Sequence, residues 1–320
     1  MKQEAFEALH APLWSEFETA LAARSRKSDG AAADVPRLFR VVCQHLALAR
    51  DREYGAELVS RLDALALRGH AALYGSQGGL AGRIGAFVAG GFAEAVRGEW
   101  RLVAAAAVLF FGPFIAIGLA IQIFPDLVYY VMDARQVAKF EEMYSPTATR
   151  LGRPRTADSS VAMFGFYIWN NVRIGFQTFA GGLVFGLGTI FYLFFNGLYI
   201  GATAGHLTHI GHGTPFWSFV SGHSALELTA IVLSGAAGLR LGAGLIAPGG
   251  MSRRAALVAG GRRAAQVIYG AALMFLAAAF VEAFWSPLTE FPAPVKYAAG
   301  IVMWIAVAAY FLLAGRRRGA

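Results

Sequence analysis

One short stretch of the sequence holds most of the residues that could carry chemistry. Four of the seven histidines fall between residues 206 and 223, and an acidic residue, Glu227, follows them. His223 and Glu227 are four residues apart, so on a helix both side chains project from the same face. The flanking sequence is apolar, and an ionisable residue inside a membrane is a functional hypothesis by default. The pattern therefore predicts a buried polar site centred on His223 and Glu227.

The spacing of this site argues against a bound metal. Zinc needs two or three such ligands and, for hydrolysis, an open position for water. The sequence His-Ser-Ala-Leu-Glu at 223–227 differs from the His-Glu-x-x-His pattern of zinc hydrolases. We expect no metal, no other cofactor and no catalytic nucleophile. His206, His223 and Glu227 are the residues that could hold an ion if one were bound. A structural His223–Glu227 hydrogen bond or a Glu227–Arg240 ion pair is the expected arrangement.

A second polar group lies in the aromatic stretch 166–173. A guanidinium at mid-membrane costs at least ~2.5 kcal/mol, so Arg173 should face protein, water or a lipid headgroup. In one alternative the segment is an interfacial helix whose arginine reaches the phosphates. In the other, Asn170, Asn171 and Arg173 line an internal site. The predicted intramembrane polar cluster comprises Asn170, Asn171, Arg173, Asn196, His223, Glu227 and Arg240.

Composition places these residues in a membrane protein. Of the 320 residues 57% are hydrophobic and 15% are charged, whereas a soluble domain has about 25% charged residues. Several apolar runs reach the ~20 residues that a helix needs to cross the hydrocarbon layer. The net charge of +8 does not indicate nucleic-acid binding, because residues 1–101 hold 13 Lys and Arg against 12 Asp and Glu. The single cysteine, Cys43, excludes an internal disulfide.

We expect an all-α, polytopic membrane protein with three regions. Residues 1–79 show the three- and four-residue apolar spacing of helices and are predicted to form a cytoplasmic helical domain that ends at a glycine-rich hinge, 75–79. Residues 80–101 should form an amphipathic helix at the membrane surface, and 102–320 the transmembrane domain. Apolar segments lie near 102–124, 174–205, 216–246, 264–284 and 297–315.

The number of these segments conflicts with their charges. Four arginines and no acidic residue occur in the 247–263 loop, and 316–318 are all arginine, which places both in the cytoplasm. A chain with both termini in the cytoplasm must cross the membrane an even number of times, but five apolar segments are visible. Either 216–246 is a re-entrant pair of half-helices broken at Gly222 and His223, or 161–178 supply a sixth, polar span. We favour the re-entrant alternative because 216–246 is longer than one span needs.

Small residues at four-residue spacing predict close helix packing. Glycines four apart share one helix face and let another backbone approach. The two stripes could pack on each other or across a homo-oligomer interface. Their members are Gly197, Gly201 and Gly205 in the first stripe and Ser234, Gly238 and Gly242 in the second.

Several motifs in the central third resemble those of the stage II sporulation protein M family of bacterial integral membrane proteins. The resemblance covers about 160–245 well and the N-terminal region through residue 74 more loosely. The motifs are Phe166-Tyr167-Ile168-x-Asn170-Asn171-x-Arg173, Phe195-Asn196-Gly197, Gly222-His223-Ser224-Ala225-x-Glu227-Leu228-x-Ala230-Ile231 and Gly235-Ala236-Ala237-Gly238-Leu239-Arg240-Leu241-Gly242.

The resemblance implies a non-enzymatic scaffold in the bacterial cytoplasmic membrane. In spore-forming bacteria, members of this family anchor a peptidoglycan-degrading engulfment machine together with stage II sporulation proteins D and P. By that analogy residues 1–100 would bind protein partners, and membrane lipid would surround the rest. A small transporter, channel or lipid-handling protein built around the polar cluster is the second hypothesis. An intramembrane metal-dependent hydrolase is the third.

Overall fold

The computed structural model describes residues 2–25, 34–74, 80–147, 151–152 and 160–316, and this part of the chain is all-α apart from its turns and loops. The chain divides into two compact units, Met1–Arg83 and Ile84–Ala320. The predicted hinge at 75–79 lies outside the described residues, as do 317 and 318 of the C-terminal arginine run.

The N-terminal unit consists mainly of three helices with a core of their own. They are α1 (Gln3–Ser25), α2 (Val35–Asp51) and α3 (Ala56–Tyr74). A part-buried hydrogen bond joins α1 to α2, because the indole N–H of Trp14 donates to His45 Nδ1 over 3.0 Å. The largest core side chains are Phe6, Trp14, Phe17, Leu38, Leu62 and Leu65. The predicted helical region is thus confirmed.

The second unit begins within helix α4. Helix α4 (Leu80–Ala86) continues through a π-helical turn, Phe87–Gly91, into α5 (Phe92–Gly98). Phe92 contacts the ring of Phe311, and the guanidinium of Arg97 donates to the backbone oxygens of Phe311 and Ala314. This contact ties α5 to the carboxyl end of the chain's last helix.

Five long apolar helices follow, which confirms the number of apolar segments that the sequence predicts. Each is long and apolar enough to span a membrane. They are α6 (Trp100–Ile123), α10 (Leu187–His209), α11 (Gly213–Ile246), α12 (Arg253–Phe284) and α13 (Ala293–Leu313). Between α6 and α10 lie two short helices, α7 (Val128–Val131) and α8 (Ala134–Met143), and then α9 (Ser160–Ala180). A capping box between Asp133 and Gln136 begins α8.

The predicted break in 216–246 is wrong. Helix α11 runs unbroken from Gly213 to Ile246, through both Gly222 and His223. Gly222 is buried, and a methyl group there would overlap the ring of Trp285. The glycine therefore makes room for a bulky neighbour and does not end the helix. The re-entrant alternative is excluded by this continuity.

The chain turns instead inside the predicted segment 174–205. Helix α9 ends at Ala180, a short 3-10 turn follows at Gly181–Leu183, and α10 begins at Leu187. Gly186 has φ +81°, a left-handed conformation that glycine adopts at little cost. A methyl group at Gly182 would overlap the backbone of Gly238 in α11. Hence the turn is pressed directly against α11.

Helix α9 lies in the position that the sixth-span alternative predicts. Gly175 faces Phe275 of α12 and Ser234 of α11, and Tyr167 packs with Ala279 and Ala283. The helix therefore runs parallel to α11 and antiparallel to α12. Six helices, α6 and α9–α13, thus form the bundle.

The first helix of the bundle begins at the same end at which the last helix finishes. Glu99, which precedes α6, lies 3.2 Å from the Nε of Arg240 near the end of α11. Arg97 contacts the last residues of α13. We call this the arginine end, defined by Arg97, Arg240 and Arg253. The start of α6 and the end of α13 therefore lie at the same end of the bundle.

Candidate functional site

A histidine and two carboxylates meet at the end of the bundle opposite the arginine end. His223 and Glu227 come from α11 and Glu282 from the last turn of α12. One ligand-type atom from each lies within 4.8 Å of the others. Arg253 begins α12 and is 29 residues from Glu282, about 44 Å at 1.5 Å per residue. We call these three residues the histidine–carboxylate cluster.

The ring of His223 is held on both sides. Its Nδ1 lies 3.0 Å from the hydroxyl of Ser286, and its Nε2 lies 3.6 Å from Glu227 Oε2. The ring of Phe219, one turn earlier, packs edge-on against the imidazole at 5.5 Å between centroids. The residue is 3% exposed. Ring orientation is therefore fixed, with Nε2 directed at the carboxylate.

A buried lysine adjoins the cluster through Ser286. The Nζ of Lys296, in the first turn of α13, donates to the backbone oxygen of Ser286 over 2.8 Å and lies 5.8 Å from the ring centroid of Trp285. Lys296 is 1% exposed, and its own carbonyl accepts from the hydroxyl of Ser221. Helices α11, α12 and α13 therefore share one polar centre.

A scan against protein families matches the stage II sporulation protein M model at residues 106–287. That is more than half of the chain. The chain belongs to the stage II sporulation protein M family. Residues 4–75 match a domain of unknown function, DUF8413. No curated protein and no solved structure gave a significant match.

The family domain contains most of the polar centre. His223, Glu227, Glu282 and Ser286 all lie within the stage II sporulation protein M match, whereas Lys296 lies beyond it. The structure thus adds three residues, Glu282, Ser286 and Lys296, to the two that sequence spacing singles out. A signal for two of them exists in the sequence, since Glu282 and Lys296 are charged residues within or beside apolar segments.

Of the other predicted polar residues of this family member, the three asparagines and Arg173 contact groups within their own helices. Asn171 is buried and accepts a hydrogen bond from Asn170 at 3.1 Å. Arg173 is exposed, with its guanidinium 4.7 Å from the ring centroid of Trp169. Asn196 donates to a carbonyl one turn earlier in its own helix. These contacts leave the proximity of the three asparagines and Arg173 to the cluster a prediction.

Arg240 belongs to the arginine end. It is 13 residues from Glu227, about 20 Å along α11, and it pairs with Glu99 rather than with Glu227. The Nε of Arg240 lies 3.2 Å from the carboxylate but lacks the alignment of a hydrogen bond, so we regard the contact as an ion pair. The side chain of Glu99 is 10% exposed.

His206 forms a separate pair and is not part of the three-residue group. Its Nε2 lies 2.7 Å from Glu141 Oε1 in α8. Among the described residues, His223, Glu227 and Glu282 are the one group of three that could hold a metal ion. Two ligands alone would leave an ion at His206 weakly bound, whereas three match the number that catalytic zinc sites use.

The two small-residue stripes contact different elements. Methyl groups at Gly197, Gly201 and Gly205 would strike Phe110, Phe114 and Gly118 of α6 in the same order, so α10 and α6 run parallel at backbone contact. The stripe of Ser234, Gly238 and Gly242 faces α9, the following turn and Thr189 in the first turn of α10. The first stripe therefore packs α10 on α6, whereas the second packs α11 on α9, the turn and the start of α10.

Proposed function

We propose that the chain is a non-enzymatic membrane scaffold or assembly factor of the bacterial cell envelope. Its bundle would hold it in the cytoplasmic membrane, while the N-terminal unit binds protein partners. The observation that carries this proposal is the division into two compact units, each with its own core. A bundle packed backbone to backbone suits an anchor, because such contacts resist rearrangement.

The surface of the N-terminal unit supports a protein-binding role. It carries exposed ion pairs, such as Arg50–Asp63 at 2.8 Å and Arg37–Asp34 at 2.6 Å, which contribute little to stability. Two leucines, Leu9 and Leu67, are each 65% exposed. Exposed leucines and exposed charged residues on the same unit offer both apolar contact and polar selectivity to a partner.

Both termini would face the cytoplasm. The loop at 247–252 and the start of α12 join the arginine end, and positively charged residues favour the cytoplasmic side. The test is a cysteine at position 252 in a Cys43→Ser background, probed with a membrane-impermeant thiol reagent. We expect labelling only after the cells are opened. Labelling of intact cells would show that position 252 faces outward and would contradict the proposed orientation.

Site-specific photocrosslinking tests the scaffold proposal. A photoreactive residue would replace Leu9 or Leu67 of the full chain in cells, with Leu119 of α6, also 65% exposed, as the matched control in the bundle. We expect the same discrete protein adduct from both N-terminal positions and lipid adducts from the control. An N-terminal unit that forms no protein adduct at either position would contradict the proposal.

A transporter, channel or lipid-handling protein is the second candidate, and the histidine–carboxylate cluster favours it. Buried ionisable residues inside membrane helices often mark substrate or proton paths. Glu227→Gln distinguishes the two roles, because it keeps the side-chain shape and removes the charge. A scaffold should retain function at normal expression, whereas a transporter should keep its fold and lose activity.

A further inference from the structure

We propose that His223, Glu227 and Glu282 bind one divalent transition-metal ion of the zinc class. The ion would join α11 to α12 at the end of the bundle opposite the arginine end. This inference goes beyond the scaffold proposal and does not depend on it, since a scaffold and a transporter could both use such a site.

The distances within the cluster suit a metal better than direct hydrogen bonds. His223 Nε2 and Glu227 Oε2 are 3.6 Å apart, longer than a hydrogen bond between these groups. Two ligands bound tetrahedrally to zinc at about 2.0–2.1 Å are separated by roughly 3.4 Å. The third carboxylate lies within 4.8 Å of both. Side-chain rotations that move the carboxylate oxygens by roughly 1–1.5 Å would bring the three ligand atoms to the spacing of a zinc site.

The second contact of His223 matches what a metal-bound imidazole requires. Ligating histidines donate their other ring N–H to a neighbouring acceptor, which fixes the tautomer and the ring plane. Here Nδ1 lies 3.0 Å from the hydroxyl of Ser286, and that residue is fully buried. Donation from Nδ1 to the hydroxyl leaves the Nε2 lone pair directed toward Glu227, where the ion would bind.

Charge and ligand type identify the class of ion. Two carboxylates brought together at an apolar helix contact repel each other, and a dication neutralises both. An imidazole nitrogen with two carboxylates suits zinc and its first-row neighbours, whereas magnesium and calcium prefer oxygen ligands alone. Three protein ligands leave a fourth position for water or for a group from a substrate.

The test uses full-length protein purified in detergent with a tag that lacks histidine. After chelator treatment and dialysis, Zn²⁺ binding is measured by metal analysis and by competition with a chromogenic chelator. Co²⁺ then replaces zinc, and its visible spectrum reports tetrahedral ligation. We expect one ion per chain, a tetrahedral cobalt spectrum and a Tm that rises by several degrees with zinc.

Variants locate the ion. Glu282→Gln should weaken zinc binding more than 100-fold, and Ser286→Ala, which alters only the outer contact, should weaken it by about 10–100-fold. The matched control is Glu141→Gln, which alters a part-buried histidine–carboxylate contact elsewhere in the chain, with His206. It should leave zinc affinity unchanged.

Three results would overturn the proposal. Well-folded wild-type protein that binds no zinc would show that Lys296 and hydrogen bonds alone accommodate the two acids. Zinc binding that survives Glu282→Gln would place the ion elsewhere, and equal loss in Glu141→Gln would do the same. If Glu282→Gln misfolds, the zinc-dependent Tm shift and cobalt spectrum of the wild type with Ser286→Ala still decide the outcome.

Discussion

Replacing Gly201 by alanine tests how closely α6 and α10 pack. The new methyl group would lie 2.7 Å from Phe114 Cα and 2.8 Å from Ile117 Cγ2, and it would overlap the backbone oxygen of Phe114. Ordinary contact begins at 3.4 Å, so the helices must separate by roughly 0.7 Å or more to relieve the overlap with the Phe114 backbone. Because backbone atoms cannot rotate away, the strain should be near the upper end of the 1–3 kcal/mol range for overpacking.

Helix propensity acts in the opposite direction. Alanine favours a helix over glycine by about 1 kcal/mol, so the net loss for Gly201→Ala should be about 1–2 kcal/mol. Gly112→Ala in α6 is the matched control, because no atom of a neighbouring element lies within 4 Å of its added methyl. That variant should be neutral or slightly more stable.

Thermal unfolding of the purified protein in detergent, followed by size-exclusion chromatography, measures both variants. At about 2–4 °C per kcal/mol for a domain of this size, Gly201→Ala should lower the Tm by roughly 2–8 °C. A Tm equal to that of the wild type, or an equal loss in Gly112→Ala, would refute the backbone contact between α6 and α10.

Three other predictions follow from individual contacts. Glu99→Gln should lower the free energy of unfolding by about 1–3 kcal/mol, because it leaves Arg240 partly buried without its partner. A double-mutant cycle of Glu99 and Arg240, followed by the Tm, should show that substitutions at the two positions are not additive. Burial and a nearby histidine lower the pKa of His45 from 6.5, so the N-terminal unit should be fully stable above pH 6.5 and lose stability as the pH falls through the lowered pKa. Hydrogen exchange of α2 should show this loss, and His45→Gln should abolish it. Gly222→Ala should destabilise the bundle, because the added methyl group would overlap Trp285. Adding Trp285→Leu to this variant should restore the Tm, and a Tm that stays low in the double variant would contradict that contact.

Much of the fold is visible in the sequence because membrane spans are local features. Five apolar helices and the helical N-terminal region follow from hydropathy and periodicity alone. The polar helix α9 is harder to recognise as part of the bundle. It buries one face, including Asn171 and Gly175, between two apolar helices, and hydropathy averages over both faces.

Contacts between distant residues explain what the sequence does not reveal. Gly222 looks like a helix break until the ring of Trp285, 63 residues later, is placed beside it. Glu282 looks like an isolated interfacial acid until α12 folds back along α11 and brings it to His223. Spacing within one helix found the His223–Glu227 pair, but the third acid depends on how two helices align.

The most direct test of the scaffold role compares two variants in a host strain that lacks its chromosomal copy. One carries Glu227→Gln and the other lacks residues 2–74, and both must reach the wild-type level in the membrane. Growth under cell-wall antibiotic challenge is the measurement. A scaffold predicts normal growth with Glu227→Gln and failure of the truncated chain. Failure of Glu227→Gln together with normal growth of the truncated chain would contradict the scaffold role and favour activity at the cluster.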